Sequence, residues 1–143
     1  NAPLLATQRG IEVSEQKSTT SRTYSSLISV SLLSAHKTTS ISGTLFGTQQ
    51  PRIVSINDYQ TDCIPEGNIL LVANYDRPGV IGHIGATLGK HGINIANMSL
   101  ARNKPGDRAL SLVEVDEAPN EDVLSELVRF EAIISIHPIW LGS

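Results

Sequence analysis

Ile69-Leu70-Leu71-Val72 is an unbroken apolar run, and the pattern that follows it limits the folds open to this chain. Residues 68–73 read as a strand. Asn74-Tyr75-Asp76-Arg77-Pro78-Gly79 ends it and opens a helix over 78–91, with Ile81, Ile84 and Leu88 on one face and Gly92 closing it. Residues 93–102 are a second strand. Its apolar phase shifts between Ile95 and Met98, which predicts a bulge or a strand covered on both sides. Lys104-Pro105-Gly106-Asp107 is a turn, and 109–115 return as a third strand. Asn120 caps a second helix, Glu121 and Asp122 suit its positive end, and Val123, Leu124, Leu127 and Val128 form its apolar stripe. A last strand covers 132–139.

The order is βαββαβ over about 75 residues, near the small end for a self-sufficient core. With right-handed crossovers it gives an α+β, ferredoxin-like unit: a four-stranded antiparallel sheet with two helices on one face. The opposite face is left uncovered, and a second copy would bury more of it. Pro65-Glu66-Gly67 breaks the pattern upstream, so the expected domains are 1–66 and 67–143.

The first domain reads as mostly β. Asn1 and Pro3 open a short helix ended by Gly10, with Leu4 and Leu5 expected inside. Residues 11–15 alternate like a strand, and 18–26 are a Ser/Thr-rich loop. Strands follow over 27–33, 38–46 and 52–56, with a turn at Asn57-Asp58. Little helix is visible to cover this sheet, so the domain reads as partial. The chain opens at Asn1 with neither Met nor a basic-then-apolar leader, and is expected to be a piece of a longer polypeptide.

Composition narrows the function classes. Of 143 residues, 40% are hydrophobic and 17% charged, as in globular proteins, and the net charge is -3. No basic run supports nucleic-acid binding, and no apolar run is long enough to span a bilayer. Cys63 is alone, so there is no internal disulfide and no Cys-based zinc site; a cytoplasmic location fits. His83 and His91 are eight residues apart on one helix, a poor spacing for joint metal ligation, so no metal site is expected. No phosphate loop, dinucleotide fingerprint or serine-nucleophile motif is present, and no catalytic residue is assigned.

What remains is a small-ligand site. The helix opening at Pro78, Gly79 and Val80 offers free amides at a positive end, suited to a carboxylate. Asp76 can hold an ammonium group, and Asn74 and Asn94 can donate and accept. Together they describe a free amino acid. A plainer reading has Asp76 capping the helix and Asn94 merely opening a strand. Gly82, Gly85 and Gly89 cost about 1 kcal/mol each within a helix, so a close contact is expected along them. Arg52, with Lys37, is a candidate anion site, or else an exposed strand-edge cation.

Two groups of motifs resemble a known family. Asp76-Arg77-Pro78-Gly79-Val80 and Gly92-Ile93-Asn94-Ile95-Ala96 resemble the ACT domain, an amino-acid-sensing module. Residues 1–6 (NAPLLA), 42–47 (SGTLFG) and 52–57 (RIVSIN) resemble the intervening, allosteric-substrate-binding domain of long-form D-3-phosphoglycerate dehydrogenase. The resemblance implies the C-terminal regulatory region of that NAD-dependent oxidoreductase of serine biosynthesis, with NAD and the catalytic residues upstream of this chain. It implies side-by-side ACT domains in a homodimer, in a parent that is a dimer or a tetramer. L-serine would sit between the copies, touched by Asn74 and Asp76 of one and Asn94 of the other. The position of Asn74 varies in the family. Arg52 matches a basic anion-binding position, whereas the position near Ile64 that can be basic is apolar here. Two alternatives stay open: the regulatory part of an L-serine ammonia-lyase subunit, which needs a cysteine cluster on another segment, and an ACT module that only dimerises.

Overall fold

The computed structural model describes residues 1–16, 24, 26–47 and 49–142. The chain order is α1 (Ala2–Gln8), β1 (Ile28–Leu33), β2 (Thr38–Phe46), β3 (Gln50–Ile56), β4 (Tyr59–Cys63), β5 (Asn68–Tyr75), α2 (Val80–Lys90), β6 (Ile95–Arg102), β7 (Arg108–Val115), α3 (Glu121–Val128) and β8 (Ile133–Trp140). Strands β1–β4 form an antiparallel meander in sequential order. Strands β5–β8 form a second antiparallel sheet, ordered β6-β7-β5-β8. A mostly-β N-terminal part therefore precedes a βαββαβ unit.

Central strand β5 explains its own apolar run. Leu70 and Val72 point to the helices and join Val80, Ile84, Leu88, Val113, Val123 and Leu127 in the main core. Ile69 and Leu71 point the other way, into a second core with Cys63, Leu110, Leu112, Ile53, Ile56 and Tyr59. A strand covered on both faces needs no polar alternation. The second face is thus not left open, as the sequence suggested: β3 and β4 of the same chain lie on it. Thr61 bonds Ser99 (Oγ1–Oγ 2.8 Å), and the Ile64 amide donates to Glu114 Oε1 at 3.1 Å. Strand β4 itself escaped the sequence reading, because Tyr59-Gln60-Thr61-Asp62-Cys63 is short and largely polar.

The two helices are tied together at their ends. Lys90 Nζ and His91 Nε2 donate to Glu126 at 2.8 and 2.9 Å. His83 Nε2 donates to the Leu127 carbonyl at 3.1 Å and stacks on Phe130, with ring centroids 4.9 Å apart. The Asn120 side chain caps α3 by accepting from the Val123 amide at 3.0 Å.

Several local expectations fail for identifiable reasons. Helix α2 starts at Val80, not Pro78, because Gly79 is its N-cap with φ +95°. The buried stripe accordingly falls on Val80, Ile84, Thr87 and Leu88, and Ile81 is exposed. Leu4 and Leu5 are exposed, since α1 buries none of its residues among the described ones, and 11–16 form no strand. The Ser/Thr-rich loop lies mostly outside the described residues. The phase shift in β6 is a bulge, between Ile95 and Asn97.

Candidate functional site

Register decides which candidate residues meet. Asn74 pairs with Ala109 on β7, and Ala109 pairs with Arg102 on β6, so these three form one row across the sheet. Asp76, Pro78, Gly79 and Val80 continue from β5 at that end. Asn94 lies at the other end, beyond the Ile95–Val115 pair, where its Nδ2 donates to Asp116 at 2.8 Å. The six residue steps from Ala109 to Val115, at about 3.4 Å each, put about 20 Å between the two groups. Antiparallel topology therefore separates Asn94 from Asp76 within one chain.

Asn74 is 1% exposed and belongs to the fold. Its Oδ1 accepts from Ser111 Oγ at 3.2 Å, and its Nδ2 donates to the Tyr75 carbonyl at 2.9 Å. Such a buried carboxamide must be paired, and here the chain supplies the partners.

Asp76 does not cap α2. Its Oδ2 accepts from Arg102 Nη1 and from the Gly106 amide, each at 3.0 Å, and its own amide donates to Asp107 O at 2.7 Å. These bonds, the Gly106 amide first and then Arg102, hold its carboxyl below the usual carboxylate range. The aspartate thus fastens the β6–β7 turn to the end of β5. Sequence reading had the turn but missed the roles of Arg102, Gly106 and Ser111. Once the hairpin is drawn against β5, position 102 falls in the row of Asn74, which was the available signal.

The start of α2 is open. No side chain caps it, and the amides of Ile81 and Gly82 have no acceptor among the described residues. Pro78 and Gly79 are exposed, and Val80 is buried in the core. Free amides at a positive helix end suit an anion. A Cβ on Gly82, Gly85 or Gly89 would meet nothing within 4 Å, so no close contact among the described residues uses the glycine stripe.

Arg52 and Lys37 are not brought together. Arg52 pairs with Thr44, whereas Lys37 sits in the β1–β2 turn before Thr38, about 20 Å along β2. Arg52 lies against Asp62 (3.4 Å) and over the Phe46 ring (5.8 Å). Beside it is an open pocket of about 430 Å³ lined largely by apolar residues, among them Ile28, Val30, Ile41 and Ile53. Such a lining does not suit a small zwitterion. Cys63 is buried, and burial first, then the Glu114 charge, pushes its thiol up to about 12, away from nucleophilic chemistry. Among the described residues no three His, Cys, Asp or Glu are grouped to hold a metal, and no helix is long and apolar enough to cross a membrane.

Residues 1–57 match the D-3-phosphoglycerate dehydrogenase intervening domain, and residues 68–132 match the ACT domain. The chain carries the intervening-domain and ACT sequences of the D-3-phosphoglycerate dehydrogenase family. It is 37% identical over 136 residues to D-3-phosphoglycerate dehydrogenase of Archaeoglobus fulgidus, covering 94% of this chain and 26% of that protein. The Methanocaldococcus jannaschii protein of the same name is 36% identical over 127 residues, covering 89% and 24%. The Bacillus subtilis one is 32% identical over 136 residues, covering 95% and 26%. The chain thus spans about a quarter of the length of these relatives. The ACT unit begins at β5, and a regulatory or oligomerising role accords with membership of this family.

Proposed function

We propose that the ACT unit binds a free amino acid, L-serine, at a site that two copies of the chain complete. The observation that carries this reading is the separation of Asn94 from Asp76 together with the free edge of β6. A serine is far shorter than about 20 Å, so one chain cannot touch it with both residues. Among the described residues strand β6 pairs only with β7, at the edge of the sheet. Two β6 strands running antiparallel about a two-fold axis near Met98 would set Asn94 of one copy opposite Arg102 of the other. That pairing reunites Asn94 with Asp76 and the open end of α2. The carboxylate would take the free α2 amides, and the ammonium would face Asp76.

In this reading the chain is the C-terminal regulatory part of an NAD-dependent D-3-phosphoglycerate dehydrogenase, cytoplasmic and acting in serine biosynthesis. The domain boundary falls at Pro65-Glu66-Gly67. NAD binding and catalysis belong to the rest of the parent, which is a homodimer or tetramer. The relatives, all bearing that enzyme's name, favour it over the ammonia-lyase alternative. One observation favours a second reading, an ACT unit that only dimerises: Asp76 Oδ2 already accepts from Arg102 and the Gly106 amide within the chain.

Calorimetric titration with L-serine, alongside light scattering, separates the readings. Serine sensing gives saturable heat, lost in both Asp76→Ala and Asn94→Ala. A dimer that shows neither heat nor a thermal shift at millimolar serine leaves only the dimerising role.

A further inference from the structure

We propose that Arg102 is a built-in competitor for the amino-acid ammonium at Asp76, so that ligand binding displaces it and reports on the β6–β7 hairpin. The inference rests on the amino-acid reading of this site and adds a regulatory device to it. Asp76 is 16% exposed at its side chain, and its one charged partner among the described residues is Arg102. That pair is single-pronged, through Nη1 alone, and the arginine side chain is 54% exposed. A half-exposed, monodentate ion pair is weakly held, and its long side chain can swing into solvent. Both donors within the chain use Oδ2, so an α-ammonium, a compact cation with N–H donors, meets the carboxylate beside the guanidinium. Two cations held against one carboxylate repel each other, so ligand and Arg102 compete for it.

The position of Arg102 gives the exchange a consequence. It is the last residue of β6, directly before the turn whose Gly106 and Asp107 are also bonded to Asp76. Releasing Arg102 removes one of the three bonds that fasten this turn to β5. The same strand is the free edge on which a second copy would pair. Occupancy at Asp76 is thereby felt on the element that joins the copies, as coupling between two sites requires.

The test is L-serine titration of the wild-type protein, Arg102→Gln and Arg102→Lys, with light scattering and thermal melting to show that each variant is folded and associates alike. Removing the charge in Arg102→Gln is expected to tighten binding roughly tenfold, within the usual range of such coupling. Arg102→Lys keeps the competing charge and stays close to wild type. Hydrogen exchange at the Gly106 and Asp107 amides is expected to quicken in wild type when serine is added, and to be fast already in Arg102→Gln. If wild type binds serine and Arg102→Gln binds no tighter, the competitor role fails while the amino-acid site stands. If neither protein binds serine, the amino-acid site fails and the competitor role with it.

Discussion

The two sheets of this chain are both four-stranded and antiparallel, yet they differ in what covers them. In the C-terminal sheet, β5 and β7 are buried on both faces, by helices on one side and by β3 and β4 on the other. In the N-terminal sheet, the β3–β4 end rests on its neighbour, while every residue of β1 is exposed. The strands themselves are comparably apolar: Ile28, Val30 and Leu32 alternate as cleanly as any in the molecule. Alternation makes a strand, but only a covering layer turns its apolar face into a core.

Truncating one leucine in each region tests the contrast most directly. Leu88 is fully buried on the inner face of α2, and Leu88→Ala should cost about 2–5 kcal/mol by denaturant melting. Leu32 on β1 is 63% exposed, and Leu32→Ala should stay within about 0.5 kcal/mol. A comparable loss at both positions would mean that the β1–β2 face is covered in solution, and the comparison would break.

Two glycines of one helix sharpen it next. Gly79 holds φ +95°, where an L side chain is strained, so Gly79→Ala should cost about 1–2 kcal/mol. At Gly82 an added Cβ meets open space, so Gly82→Ala should stabilise the single chain by about 1 kcal/mol. A destabilising Gly82→Ala, measured in the same thermal melts, would show that something packs against the stripe when the protein associates.

The smallest expected effect is on the clasp between α2 and α3. Hydrogen bonds from His91, then Lys90, lower the Glu126 carboxyl from 4.5 to about 2. Since the folded value is the lower one, the clasp stabilises the fold fully above pH 4.5 and loses that contribution as pH falls toward 2. Glu126→Gln should therefore flatten the acid limb of melting temperature against pH. An unchanged acid limb would show that the clasp contributes nothing measurable.

The legible parts of this molecule are those set by near neighbours. The Asn120 cap, the turn at Lys104-Pro105-Gly106-Asp107 and the bulge after Ile95 are local, and residues a few positions apart reveal them. The start of α2 was misread by two residues because Pro78 suits a first helical position equally well, and only the left-handed Gly79 decides. Helix α1 leaves Leu4 and Leu5 exposed, which no local pattern could disclose.

The candidate site divides in the same way. The residue types at Asp76, Gly79 and Asn94 are a matter of sequence, and so is membership of the family. Their distance is not: it follows from β6 running antiparallel to β7, which carries Asn94 to the far end of the sheet. Nor could the chain's local pattern show that Asp76 already holds Arg102 and the Gly106 amide, or that β3 and β4 seal the second face of β5. The sequence by itself determined the βαββαβ order of the C-terminal unit and the groups available for binding, because both depend on residues near one another in the chain. Which groups meet, and which surfaces remain free, was decided only by the tertiary structure, because contacts between distant segments depend on topology and register.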